Sequence, residues 1–210
     1  MTRSAGGDFE TDGWMRLPFC FNDEDLARLS KLGPHVGRGV RLTDMQAVKA
    51  ALPMGFKNSL KKLGFHDTPN RGVGFVKSDE FNWSLPWHQD RVIAMPQKRD
   101  HPGYSNWTRK SGVWHCEPAQ EILKNIAFAY ISFDDINDGK GALEIAEGTQ
   151  SYGKVPKSEI LALVKNSNLV APNMKAGDVL LISALTLHRS GLWIGTGQRR
   201  TLRLDFLRVN

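Results

Sequence analysis

From about Gly72 onward the chain is a succession of short β-favouring runs separated by clusters of Gly, Asn, Asp and Pro. The runs are GVGFVK, LPWHQDRVIAM, GVWHCE, IAFAYISF, ALEIAE, DVLLISALTLH and TLRLDFLRV. About seven short strands with turn signals between them predict a sandwich or barrel. Two helical insertions are expected, near Pro118–Asn125 and Ser158–Asn166. Pro102, Gly103 and Ser105 mark a long loop after the run that carries His88, and the stretch from Gln97 to Ser111 is expected to shape an entrance.

The N-terminal third has a different texture. WMRLPFCF reads as a strand or extended arm. Asn22 is placed to cap a helix, with Asp23, Glu24 and Asp25 in its first turn, where negative charge suits the helix dipole. Leu26, Leu29 and Leu32 supply its apolar stripe, and Gly33-Pro34 ends it. Thr43 and Gln46 form a capping-box pattern for a second helix striped by Met45, Val48 and Leu52 and stopped by Pro53. A third helix is expected over Phe56 to Leu63, closed by Gly64. Taken together, residues 1–210 read as a single domain, with a helical part over about 1–70 and a β core over about 71–210.

Bulk properties exclude several classes. Hydrophobic content of 40% and charged content of 24% are those of an ordinary globular chain. No apolar run reaches bilayer length. The polar N-terminus lacks the apolar stretch of a secretory signal, so a cytoplasmic location is expected, and its first ten or so residues are expected to be floppy. Cys20 and Cys116 read as two reduced, buried thiols. The net charge of +6 would suit an acidic substrate or nucleic acid, but the basic residues are scattered. Their densest clusters, Lys57/Lys61/Lys62 and Arg109/Lys110, are short, and a solvated surface is the simpler reading.

Among the six histidines, two have a carboxylate two residues on: His88-Gln89-Asp90 and His115-Cys116-Glu117. In a strand, side chains at i and i+2 share a face, so either pair could converge on one ion. Pro118 after Glu117 places the second pair where a strand ends, a mild preference for the first. His188, in LISALTLHRSG, lies at the end of an apolar strand, just before a turn. Two histidines and a carboxylate on one side of a metal leave its other positions open, the facial triad of non-haem iron(II) oxygenases. Arg199, eleven residues after His188, follows a Gly-rich turn and opens the strand RRTLRLDF. A guanidinium grips a carboxylate through two parallel bonds. Ser190 offers a hydroxyl on the face of His188, so Arg199 and Ser190 together would hold the distal carboxylate of a 2-oxo diacid. Trp83, Trp87, Trp107 and Trp114 are candidates for an apolar pocket lining or the core. Arg203 shares the strand parity of Arg199, Thr201 and Asp205, and would meet an acidic substrate group or pair with Asp205.

The segments NWSLPWHQD, AFAYISFDD with DGKGALEIAEGTQSYG, LHRSG, and Arg199 opening RRTLRLDF occur in the order found in the phytanoyl-CoA dioxygenase family of iron(II)/2-oxoglutarate oxygenases, which this chain resembles from about Gly72 onward. The match of PWHQD to the family's metal tripeptide selects His88 over His115. The resemblance implies a double-stranded β-helix, the cupin-like jelly roll, mainly β with N-terminal helices. It implies His88, Asp90 and His188 as iron ligands, Arg199 with Ser190 as 2-oxoglutarate anchors, and Gln89, Lys77 and Asn82 around the co-substrate pocket. It implies a small-molecule substrate hydroxylated at a C–H bond with dioxygen, releasing succinate and carbon dioxide. His115, Trp107 and Arg203 are candidates to touch that substrate. Asp90 leaves no vacant ligand position for a halide, so hydroxylation is favoured over halogenation. Relatives often carry a Gly-Ser-His turn where Gly148–Gln150 stand here, which removes an ionisable group. The alternative is a metal-binding cupin-type roll that works without 2-oxoglutarate or only binds a ligand. Nucleic-acid demethylation would call for a second arginine six residues after the first, where Asp205 stands. Because metal binding needs neutral histidines, activity is expected to fall below about pH 6.

Overall fold

In a computed structural model the protein is described over residues 6–33, 38–137 and 141–209. Thirteen strands run through these residues: β1 (Trp14–Leu17), β2 (Arg38–Leu42), β3 (Arg71–Ser78), β4 (Leu85–His88), β5 (Ile93–Met95), β6 (Tyr104–Lys110), β7 (Val113–Pro118), β8 (Ile126–Ser132), β9 (Leu143–Ala146), β10 (Leu169–Val170), β11 (Val179–Ser183), β12 (His188–Ser190) and β13 (Gln198–Leu207). Five helices accompany them: α1 (Asp23–Ser30), α2 (Met45–Ala51), α3 (Met54–Lys62), α4 (Gln120–Leu123) and α5 (Ile160–Lys165).

The strands form a six-stranded sheet in the order β1-β11-β8-β13-β3-β2, a four-stranded sheet β10-β9-β12-β4, and a three-stranded sheet β5-β7-β6. All pairings are antiparallel, and the two larger sheets make the jelly roll. The three central strands β8, β11 and β13 are buried on both faces. In IAFAYIS, Ala127, Ala129 and Ile131 face one way and Phe128 and Tyr130 the other. The two alanines let the helices approach the outer face, where Leu26, Leu29, Val48, Phe56 and Leu60 meet Leu202, Leu204 and Phe206 of β13. Phe128, Tyr130, Leu180 and Ile182 point inward, toward Ile145 of the smaller sheet.

Asn22 caps α1 as expected: its side chain accepts from Asp25 N, and the Asp25 carboxylate accepts from Asn22 N. The apolar stripe is shorter than expected, since Leu32 lies past the helix and is exposed. Pro34 and His35 fall outside the described residues. The second helix is capped by Asp44 in place of Thr43: Asp44 accepts from Ala47 N at 2.9 Å, one residue later than the capping-box pattern suggests. Pro53 stops that helix and opens α3, where the lost N–H of proline costs nothing at a helix start. The N-terminal third is not purely helical, because β1 and β2 take the two edges of the large sheet.

Two further expectations are corrected. The residues before β1 are not floppy where they are described: Asp8 accepts from Glu10 N and Thr11 N, and Phe9 is buried edge-on against Phe65. The stretch Gln97–Ser111 is not a loop throughout, because Tyr104–Lys110 forms β6 against β7. Bulging at Asn106, a non-glycine residue with φ of +53°, interrupts its polar/apolar alternation and hid the strand. Both cysteines are free thiols, and burial together with the nearby Asp178 pushes the half-buried Cys20 up to about 11. Among the described residues no helix is long and apolar enough to cross a membrane.

Phe206 is fully enclosed between the helices and the large sheet, whereas Leu161 on α5 is 71% exposed. Phe206→Ala is expected to lower unfolding stability by about 3–5 kcal/mol. Leu161→Ala should change it by no more than about 0.5 kcal/mol. Chemical denaturation with matched m-values checks both.

Candidate metal centre

β4 and β12 lie side by side in the four-stranded sheet, with His88 opposite His188 and their ring centroids 4.5 Å apart. Both imidazoles are oriented by the same device. His88 Nδ1 lies 2.8 Å from Pro86 O, and His188 Nδ1 lies 3.0 Å from Thr186 O. A carbonyl only accepts, so Nδ1 donates in each ring and Nε2 is the nitrogen left to face the site.

Asp90 arrives differently from the strand alternation expected of it. β4 ends at His88, and Asp90 lies beyond it, its N–H donating to Ala184 O at 3.2 Å. Asp90 Oδ2 lies 3.3 Å from His188 Nε2 and accepts from Arg203 Nη1 at 2.5 Å and Tyr130 Oη at 3.4 Å. The ligand atoms of His88, Asp90 and His188 all lie within 4.8 Å of one another. Two imidazole nitrogens and one carboxylate oxygen converging on one another fit a divalent first-row metal with open positions opposite.

His188 does not end an apolar strand, as the hydropathy suggests, but opens a new one. The run DVLLISALTLH is two strands in two different sheets, β11 and β12, joined by a corner over Ala184–Leu187. Every residue of that corner is buried, so its apolar character conceals the turn. Polar groups tie it down: Ser183 N and Thr186 Oγ1 donate to Gly13 O at 2.9 and 2.8 Å, and Leu187 N donates to Thr149 Oγ1 at 2.9 Å.

The triad lines a cavity of about 280 Å³ together with Lys77, Ser190, Arg199, Thr201 and Arg203. Arg199 and Arg203 share one face of β13, about 13 Å apart along the strand. Arg199 is buried, donates Nη1 to Gly141 O at 2.6 Å, and leaves Nε without a hydrogen-bond partner among the described residues. Asp134 is paired with Arg200 and Asp205 with Arg203. Burial pulls the Arg199 guanidinium down to about 10, partly offset by Tyr130. Lys77 is opposite Arg199 in the β3–β13 ladder and donates Nζ to Ser190 Oγ at 2.7 Å and Gly191 O at 2.6 Å. Ser190 is buried on the same face as His188, while Arg189 between them is exposed and pairs with Glu144.

Trp83 also lines this cavity, while several other candidates from the sequence fall outside it. The Gln89 amide is taken by backbone: it donates to Gly153 O and Leu185 O and accepts from Val155 N. Asn82 brackets the turn after β12, donating to Trp193 O and accepting from Trp193 N. Trp107 stacks edgewise on Trp114, away from the cavity lining. His115 is buried near Arg71 and Arg41, while Glu117 pairs with Arg91 and Lys154, so that pair does not converge. Gln150 donates to Glu10 O and Thr11 O, holding the N-terminal segment. Arg203 is not available to an acidic substrate group in this arrangement, since it bridges Asp90 and Asp205. Tyr130 was missed as a cavity residue. Its signal is a hydroxyl in a strand buried on both faces, which must find a polar partner.

Burial alone would raise the Asp90 carboxyl, but Arg203 and the two histidines outweigh it and hold the group well below the usual carboxylate range. Burial, together with His188 and Arg203, lowers His88 against the pull of Asp90.

The sequence matches the family model for phytanoyl-CoA dioxygenase over residues 53–201. The chain belongs to the phytanoyl-CoA dioxygenase family. A comparison with curated proteins found no match. Among solved structures, AviO1 from Streptomyces viridochromogenes Tue57 superposes with a TM-score of 0.62 at 16% identity, covering 95% of this chain and 91% of AviO1. SnoN, described as a non-haem α-ketoglutarate-dependent epimerase of nogalamycin biosynthesis, gives 0.63 at 12% identity, over 95% of this chain and 79% of SnoN. HygX from Streptomyces hygroscopicus, solved with nickel, 2-oxoglutarate and hygromycin B bound, gives 0.58 at 16% identity, over 96% of this chain and 85% of HygX. At these identities the likeness is one of fold.

A histidine kept neutral in the folded state must take up a proton on unfolding once the pH drops below its ordinary value of 6.5. The metal-free protein is therefore expected to lose stability as pH falls below about 6.5, the unfolded-state value. His88→Gln should flatten that slope in thermal melts between about pH 7 and 5.5. An unchanged slope would show that His88 is not held neutral.

Proposed function

We propose that the protein is an iron(II)- and 2-oxoglutarate-dependent dioxygenase that hydroxylates a C–H bond of a small molecule. The observation that carries this reading is one cavity holding a His88/Asp90/His188 donor set and a buried Arg199 guanidinium whose Nε has no hydrogen-bond partner among the described residues. A buried cation without a counter-ion is costly, and a carboxylate from a ligand would relieve that cost. Iron with dioxygen and 2-oxoglutarate supplies the oxidising chemistry, with succinate and carbon dioxide as co-products.

In this reading His88, Asp90 and His188 hold the metal, and Arg199, Ser190 and Lys77 receive the distal carboxylate of the co-substrate. The bound iron and 2-oxoglutarate of HygX in its separate structures support that assignment. Phe75, Trp83, Leu85 and Leu143 line the same cavity and exclude water around these groups. Asn82, through its two bonds to Trp193, sets the turn that presents Ser190 and Gly191 to Lys77. Asp90 keeps the full triad, which favours hydroxyl transfer over halide transfer. Other outcomes exist on this fold, as the epimerase and carbocyclase descriptions of SnoN and SnoK show for those proteins.

Anaerobic titration of the protein with iron(II) and then 2-oxoglutarate should raise a weak visible charge-transfer band. The band should vanish in His188→Ala and need a higher 2-oxoglutarate concentration in Arg199→Ala, by about ten- to 150-fold for a lost charged hydrogen bond of about 1.5–3 kcal/mol. Iron binding with no band on addition of 2-oxoglutarate would sink the co-substrate and leave a cupin-type metal protein.

A further inference from the structure

Arg203 sits midway along β13, opposite Val73 of β3 and Tyr130 of β8. Its guanidinium lies 3.7 Å from the ring centre of Phe128 and is 4% exposed as a residue. Nε donates to Asp205 Oδ1 at 2.8 Å, and Nη1 donates to Asp90 Oδ2 at 2.5 Å. Asp205 is held in turn by Arg71, whose Nε is 2.7 Å from Asp205 Oδ2. Four charges of alternating sign, Arg203 and Asp205 buried and Asp90 and Arg71 partly so, thus run from the metal carboxylate to the base of β3.

Such a chain is expensive to bury, and a simple core contact would not call for it. Its position suggests a reason. His88 and His188 are oriented by backbone carbonyls next to them, but Asp90 lies past the end of β4. Its backbone N–H donates to Ala184 O, which leaves the carboxylate free to rotate unless something grips it. Arg203 supplies that grip, and Tyr130 Oη adds a longer contact to the same oxygen. A guanidinium locked by a second carboxylate is a rigid partner, since its fork is planar and its stem is packed on an aromatic face.

We infer that Arg203 is the positioning residue of the metal carboxylate: locked by Asp205, it fixes where Asp90 meets the metal and withdraws negative charge from that ligand. Arg203 then acts through Asp90 and not on substrate. The inference rests on the metal centre proposed above. Two consequences separate its parts. A charge held beside a ligand carboxylate makes it a weaker donor, which favours iron(II) over iron(III). A fork shared between two carboxylates fixes position in a way a single ammonium does not.

The test compares Arg203→Lys, Arg203→Met and Asp205→Asn with the wild-type full chain, using iron(II) itself as the probe. Circular dichroism melts establish which variants fold. Anaerobic calorimetric titration should show iron(II) binding about tenfold or more weaker in Arg203→Lys, the range for a lost partner of a ligand. Asp205→Asn should shift it the same way by less, because Arg203 keeps its bond to Asp90 but loses its anchor. The iron(III)/iron(II) midpoint potential should stay near the wild-type value in Arg203→Lys and fall in Arg203→Met. Wild-type iron affinity in whichever of Arg203→Lys and Asp205→Asn folds would overturn the assignment. A wild-type chain that takes up no iron, or takes it up equally well after His188→Ala, would instead remove the metal centre on which the inference stands.

Discussion

A strand with two arginines and an aspartate on one face can occupy the middle of a sheet only if those charges are answered inside the protein. β13 is such a strand. Its outer face, Leu202, Leu204 and Phe206, belongs to the helix-covered core. Its inner face, Arg199, Thr201, Arg203 and Asp205, is buried as well. Asp205 and Arg203 answer each other, Arg71 completes Asp205, and Asp90 completes Arg203. The demand for a counter-charge therefore pulls a loop carboxylate toward two histidines. Arg199 is the exception on that face: its hydrogen bond goes to the Gly141 carbonyl, a neutral partner. The strand's polarity makes the cavity as much as the cavity's shape does.

Much of this is legible in the sequence. The alternation of TLRLDF separates an apolar face from a charged one, and the charged face is the cavity face. Asn22 with its acidic first turn, the capped α1 and the burial of Leu26 and Leu29 also follow from local sequence. The three residues brought together at the centre are those singled out by spacing and family resemblance. What could not be read was the means of convergence. The two-residue rule presupposes a strand through Asp90, and the strand stops at His88. The corner between β11 and β12 is as apolar as the strands it joins, so hydropathy carries no trace of it. Long-range partners were equally hidden: nothing local to Asp90 announces Arg203, 113 residues away. Gln89 shows the converse, a polar residue beside two ligands whose amide is consumed by three backbone groups.

The segment before β1 shares in placing the second histidine. Gly13 O receives both Ser183 N and Thr186 Oγ1, and Thr186 O is the carbonyl that orients His188. Glycine suits that point. It adopts a φ of +77°, and a side-chain carbon there would fall 2.3 Å from Thr186 Oγ1. Gln150 closes the arrangement by donating to Glu10 O and Thr11 O. One imidazole is thus aimed through a relay that begins about 170 residues earlier in the chain.

The strand order has a consequence for how the molecule comes into being. β13 lies between β3 and β8, yet both of those are made well before it. Until β13 arrives, β8 offers one open backbone edge and two apolar faces, the combination most prone to pairing with another chain. Closing the sheet requires contacts of long sequence separation, which form slowly. Synthesis of this protein therefore includes an interval in which a strand buried on both faces in the finished fold is unshielded. The event that ends this interval is the insertion of a strand bearing four polar side chains on its inner face.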